Sequence, residues 1–230
     1  MSIKPILFST PMVQAILEGR KAQTRRVFNP QPPTDASFID LYDKMVVTAI
    51  DHHGNEYPKD VEGLYSTFEH DGLPQFPVFK AAYMPGDILW VRETWRMGDF
   101  SFIDGDWSAS VQYKDGAIGA RLHNLTEDER LGWRPSIHMP KAAARIFLRV
   151  TDVRAERLNE ISEEDAIREG CARGDRYAGE RSTPAQTAKQ SFMWLWNMLN
   201  DKRGYSWCSN AWVWVYTFES CEKPKGWCAK

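Results

Sequence analysis

Apolar positions recur along the chain with two spacings, and each spacing predicts elements. Near the start, Val13, Ile16 and Leu17 fall on one helical face. They predict a helix over 11–18, with Thr10 as cap, Pro11 at its first position and Gly19 as the left-handed residue that ends it. Ile88 to Trp95 alternates between the faces Ile88/Trp90/Arg92/Thr94 and Leu89/Val91/Glu93/Trp95, which predicts a strand. A charge on each face predicts that its far end leaves the core. Further strands are expected at Lys44–Ile50, Ala144–Arg154 and Ala211–Phe218, the last apolar on both sides and therefore central in a sheet. Ser162 caps a helix with three acids in its first turn, closed by Gly170. Thr183-Pro184 opens another, whose Phe192, Leu195, Trp196 and Leu199 repeat at i, i+3, i+4, i+7. The resulting fold class is α+β: five to seven strands and three helices around one barrel-like sheet.

Two stretches break this order and read as insertions, at about 34–82 and 98–132, within a single domain spanning 1–230. The first holds nine acids and two bases between residues 34 and 72, and its His52, His53 and His70 read as parts of a solvated loop. The second is expected to contain a hairpin turning at Lys114-Asp115-Gly116. An irregular segment with two prolines, Trp133 to Pro140, follows it.

Charge and composition narrow the function. The net charge of −2 excludes a polybasic protein that coats duplex nucleic acid, yet it conceals the bend Arg20-Lys21-Ala22-Gln23-Thr24-Arg25-Arg26, which carries four cations and no acid. Four loosely spaced cysteines signal neither a disulfide framework nor a zinc site, so no metal and no cofactor are expected. No apolar run is long enough to span a bilayer, and the protein reads as cytoplasmic, without a membrane partner. Ten tryptophans exceed what a plain core needs, and indole also stacks on flat ligands.

The basic bend is where chemistry is concentrated. A lysine crowded by Arg20, Arg25 and Arg26 has its ammonium form disfavoured and can act as a base, and a threonine hydroxyl within reach of such an amine becomes a nucleophile. The same residues also fit a solvated basic loop. Around them, Trp90, Trp95 and Trp133 are candidates to stack on a base, while Arg20, Arg26, Arg92, Arg134 and His138 are candidates to reach its oxygens or a phosphate. Trp194, Trp196, Trp212 and Trp214 read as core.

The order of a helix, Gly19-Arg20-Lys21-x-x-Thr24-x-Arg26, Pro85-Gly86-Asp87 leading into a tryptophan-containing strand, a capped helix and a final strand resembles the ASCH domain family, which has a PUA-like β-barrel fold. Lys4 to Phe8, Gly86 to Trp95 and Trp133 to Pro140 resemble uncharacterised phage and prophage proteins of this type. Small bacterial members of the family remove the acetyl group from N4-acetylcytidine. The resemblance implies that the family's catalytic lysine, threonine and glutamate fall on Lys21, Thr24 and Glu169. Glu163 and Glu164 share the helix with Glu169, but Glu169 is the acid that looks inward from its last turn. Lys21 would deprotonate Thr24, Arg26 or a backbone N–H would stabilise the oxyanion, and Glu169 would either hold Lys21 or protonate the leaving nitrogen. The partner would be a nucleoside, an RNA or a nucleic acid with a modified base. Two other readings fit the same residues: a non-catalytic binding module for RNA or modified bases, and a ribonuclease.

Overall fold

The structure is a computed structural model that describes all residues except 34, 51–55, 72, 104, 126–131, 176–183 and 228–230. The strands are β1 (Ile3–Leu7), β2 (Gln23–Val27), β3 (Ser37–Ile50), β4 (Glu56–His70), β5 (Leu73–Lys80), β6 (Ile88–Arg92), β7 (Trp95–Ile103), β8 (Asp106–Tyr113), β9 (Ile118–Leu122), β10 (Phe147–Arg157) and β11 (Trp212–Cys221). The α-helices are α1 (Thr10–Leu17), α2 (Glu163–Arg168) and α3 (Ala188–Asn200). The described residues are thus mostly β, with three sheets and few helices. It divides into two compact units. The first comprises Met1–Ala22, Gly86–Val150 and Phe218–Lys230, and the second Gln23–Pro85 and Thr151–Thr217.

In the first unit the strand order is β1-β6-β10-β11, with β1 parallel to β6 from Ile3↔Ile88 to Leu7↔Arg92. Val13 and Ile16 of α1 are buried, and Gly19 takes the left-handed conformation that turns the chain after the helix. The cap of α1 is Ser9 rather than Thr10, one residue before the position expected. The expected strand at 88–95 divides. β6 ends at Arg92, and Trp95 begins β7 of a separate antiparallel sheet, β7-β8-β9. Glu93 therefore does not lead out of the core. It is buried, and Arg145 donates to both its carboxylate oxygens at 2.8 and 2.7 Å, so an ion pair replaces the solvent it was expected to reach. Trp90, Trp95, Met97, Val111, Tyr113 and Phe147 form the centre of this unit's core.

In the second unit the order is β10-β11-β2, with β11 antiparallel to β2 from Val213↔Val27 to Thr217↔Gln23. β11 lies between two neighbours, as its two apolar sides require. Phe28 stacks on Trp214 at 4.3 Å and meets Phe68 and Phe79 edge-on, which ties the β3-β4-β5 sheet to β2. Within the stretch read as the first insertion, the described residues form an antiparallel sheet, β3-β4-β5, with Phe68 and Phe79 buried, and the strand expected at Lys44–Ile50 lies within β3. His52 and His53 lie outside the described residues. α3 begins at Ala188 behind a capping Thr187, whose hydroxyl accepts from the Gln190 N–H at 3.0 Å. Phe192, Leu195 and Trp196 are buried, while Leu199 is exposed and Asn200 buried in its place. Both strand orders end on an edge strand, so the pairings of the described residues form open sheets where a barrel was expected.

Candidate functional site

Five residues in one short segment decide the second unit's candidate site. Successive side chains of a strand point to opposite faces. On β2, Thr24 and Arg26 therefore share one face while Gln23 and Arg25 share the other. Thr24 is 4% exposed and lies directly opposite Tyr216 of β11. The Tyr216 hydroxyl accepts the Ala82 N–H at 3.0 Å, and its ring meets Tyr83 edge-on at 5.0 Å. Burial raises both phenols above their ordinary value, with the Arg26 charge opposing it. Thr24, Arg26, Tyr83 and Tyr216 thus form a polar cluster in an otherwise apolar wall. The two tyrosines escaped the sequence reading. The alternation of β11 was a usable signal for Tyr216, because it places that residue among core positions.

The other face of β2 carries a closed ion network. Arg25 donates to Glu156 Oε1 at 2.8 and 2.5 Å, to Asp165 Oδ2 at 2.9 Å, to Glu169 Oε1 at 3.2 Å and to Gln23 Oε1 at 2.9 Å. Burial works against the Arg25 charge, and the carboxylates of Glu169, Glu156 and Asp165 outweigh it, so the guanidinium is held above its ordinary value. Glu169, 4% exposed, occupies the C-terminal cap of α2 and is turned onto this face. The α2 helix is set by Ser162, whose hydroxyl accepts the Asp165 N–H at 3.0 Å. Arg154 also binds Asp165, at 2.6 Å, and Glu156, at 3.1 Å.

This network changes the electrostatic argument for the basic bend. Arg25 is matched by its own carboxylates, and Arg20 is paired with Glu18 at 2.5 Å on an exposed surface. Neither is an uncompensated charge crowding its neighbours. Lys21 belongs to the first unit, where it is 3% exposed, its ammonium 5.6 Å from the Phe8 ring centroid and its N–H bonded to the Ala15 carbonyl at 2.9 Å. It is therefore a buried lysine, not part of a solvated basic loop. Thr24, Arg26 and Glu169 belong to the second unit.

The remaining candidates lie in the first unit. Trp90 and Trp95 are buried, so they pack in the core and offer no open ring to a ligand. The Arg134 guanidinium sits 5.1 Å from the Trp95 ring, and that of Arg92 sits 5.5 Å from the Trp90 ring and donates to the Ile137 carbonyl. His138 is exposed at the end of a short 3-10 turn, Ser136–His138. Trp133 stays at the surface, with Arg96 and Lys114 against its ring. A cleft of the second unit is lined by Glu163, Thr187, Lys189, Met193 and Trp207, none of them a candidate. Its carboxylate, Glu163, accepts the N–H groups of Ala188 and Lys189 at the start of α3 and is used as a cap. Among the described residues no cluster of His, Cys, Asp and Glu is placed to hold a metal ion, and no helix is long and apolar enough to cross a membrane.

The class of protein that emerges is a mostly β fold of open sheets with buried polar groups on a short edge strand. Among solved structures the chain is similar to an ASCH domain from Lactobacillus crispatus JV V101, with a TM-score of 0.36 and 10% identity, over 95% of this chain and 79% of that one. No family model and no curated protein matches the chain.

Proposed function

We propose that the protein is an amidohydrolase acting on an acylated pyrimidine nucleoside such as N4-acetylcytidine. The supporting observation is Thr24, a buried hydroxyl that shares a strand face with Arg26 and lies opposite Tyr216. Lys21, buried three residues earlier in the chain, is the base of the proposal.

In the proposed reaction Lys21 takes the Thr24 proton as the oxygen attacks the acetyl carbon, and Arg26 stabilises the oxyanion. The C–N bond then breaks, the Lys21 ammonium returns the proton to the departing exocyclic nitrogen, and cytidine leaves. Water, deprotonated by Lys21, attacks the threonyl ester, and acetate departs as Thr24 recovers its proton. Of the two roles open to Glu169, the proposal takes the positioning one: its Oε1 accepts from the Arg25 guanidinium at 3.2 Å, and the lysine returns the proton.

The test is rapid quenching of the full-length protein with N4-acetylcytidine, followed by intact-mass and peptide analysis. The expected result is an acetyl group on the peptide containing Thr24, absent in Thr24→Ala and Lys21→Ala. Release of cytidine at the wild-type rate by Lys21→Ala would overturn the assignment of the base.

A further inference from the structure

Tyr216 and Tyr83 of the second unit play different parts on the face of β2 that carries Thr24 and Arg26. Residues directly opposite each other in an antiparallel pair share a face, so Tyr216, opposite Thr24, stands beside it. The Tyr216 oxygen accepts the Ala82 N–H at 3.0 Å and also the Tyr83 N–H, which fills both of its acceptor positions. This anchor catches the chain as it leaves the β4-β5 pair. The Ala81 N–H still goes to the Leu64 carbonyl at 2.8 Å, and the next two N–H groups go to one phenol. The Tyr83 ring is thereby held edge-on to that of Tyr216, at 5.0 Å and 72°. Tyr216 is closed to solvent, whereas Tyr83 is half-buried and is the member of the pair that a ligand can reach.

Arg26 is half-buried on the same face, and its charge acts on both phenols. Burial outweighs that charge and raises both above their ordinary value, so Tyr83 stays a protonated donor across the neutral range. A guanidinium and a phenol O–H are thus gathered on the face of a buried threonine hydroxyl. Such a pair suits an oxygen that gains negative charge as the threonine attacks its carbon, because fixed donors in a site closed to water stabilise charge that develops there.

We propose that the Tyr83 hydroxyl is the second donor to the oxyanion formed at the acyl carbonyl, beside Arg26, and is a catalytic residue of the Thr24 face. The proposal rests on the hydrolase reading and deepens it by naming the substrate group that is recognised, an acyl carbonyl oxygen taken by two donors. As the Thr24 oxygen bonds to the acyl carbon, the carbonyl π pair moves onto oxygen, where the Tyr83 O–H and the Arg26 guanidinium meet it. Tyr83 keeps its proton throughout. When the C–N bond breaks, the pair returns and the carbonyl is restored in the threonyl ester.

The test is steady-state kinetics of full-length wild type and Tyr83→Phe on N4-acetylcytidine and on N4-thioacetylcytidine, whose sulfur is a poor hydrogen-bond acceptor. Tyr83→Phe keeps the ring against Tyr216, so its thermal melt is expected to match wild type. Its kcat on N4-acetylcytidine is expected to fall about a hundredfold with KM within about twofold, the pattern of a lost oxyanion donor. The oxygen-to-sulfur ratio of kcat/KM is expected to shrink about tenfold in the variant, because the hydroxyl that tells the two atoms apart is gone. A residue that only holds the structure slows both substrates alike. A kcat within about threefold of wild type, a loss confined to KM, or an unchanged oxygen-to-sulfur ratio would overturn the role of Tyr83 and leave the hydrolase reading of Thr24 standing. Wild type that releases no cytidine would overturn both.

Discussion

The guanidinium of Arg25 and the carboxylate of Glu169, 144 residues apart in the chain, meet at 3.2 Å with both side chains closed to solvent. Through this pair the cap of α2 is joined to strand β2, and Glu156 and Asp165 complete the shell around the same cation. Replacing Arg25 by Met leaves these carboxylates without their central cation. Breaking a buried pair from one side costs about 3–5 kcal/mol. For a chain of this size each kcal/mol lowers the melting temperature by about 2–4 °C. Arg25→Lys, which keeps the charge but loses the fork, is expected to fall between wild type and Arg25→Met in a thermal melt.

Arg145 plays the corresponding part in the first unit, held by Glu93 and Asp115 and lying over the Tyr113 ring at 3.9 Å. Burial raises the Glu93 carboxyl above its ordinary value, with the hydrogen bonds and charge of Arg145 pulling the other way. A carboxyl raised in the folded state favours folding most when it is protonated, and that contribution is lost as pH rises through the folded value. Arg145→Met removes the opposing influence and raises Glu93 further. The variant is therefore expected to lose about 3 kcal/mol near neutrality, with a deficit that narrows on acidification. Urea unfolding at about pH 5 and about pH 8 checks both the size and the sign.

The stack of Phe28 on Trp214, with Phe68 and Phe79 edge-on to it, is the junction of the second unit's two sheets. Phe28→Ala opens a cavity on three aromatic neighbours and is expected to cost about 3–5 kcal/mol, read as a lower urea midpoint. Phe28→Leu, which refills most of that volume, is expected to recover more than half of the loss.

Elements governed by local signals were legible in the sequence. Ser162 caps α2 and Gly19 ends α1 because the groups they satisfy lie within a few residues. β11 is central because its own side chains are apolar on both faces. What escaped depends on partners far along the chain. Glu93 looked like the end of a strand leaving the core, since Arg145, its neutralising partner, is 52 residues away. Arg25 looked like one more cation in a crowded bend, because its carboxylates come from β10 and α2. Of the sheet β3-β4-β5 only the strand at Lys44–Ile50 was legible, because acidic positions along the stretch mask the apolar contacts of Phe68 and Phe79 that hold it. For the same reason, tryptophan count alone did not separate the buried Trp90 and Trp95 from the exposed Trp133.

If Thr24 is the nucleophile on an acylated pyrimidine nucleoside, kcat/KM for N4-acetylcytidine separates wild type from Thr24→Ala, with folding of both confirmed by thermal melts. Wild type is expected to release cytidine and acetate at a measurable rate, and the variant to lose about a thousandfold or more, the scale on which removal of a covalent nucleophile acts. Wild-type protein that leaves N4-acetylcytidine intact, or a Thr24→Ala variant within a few-fold of wild type, would contradict that role of Thr24.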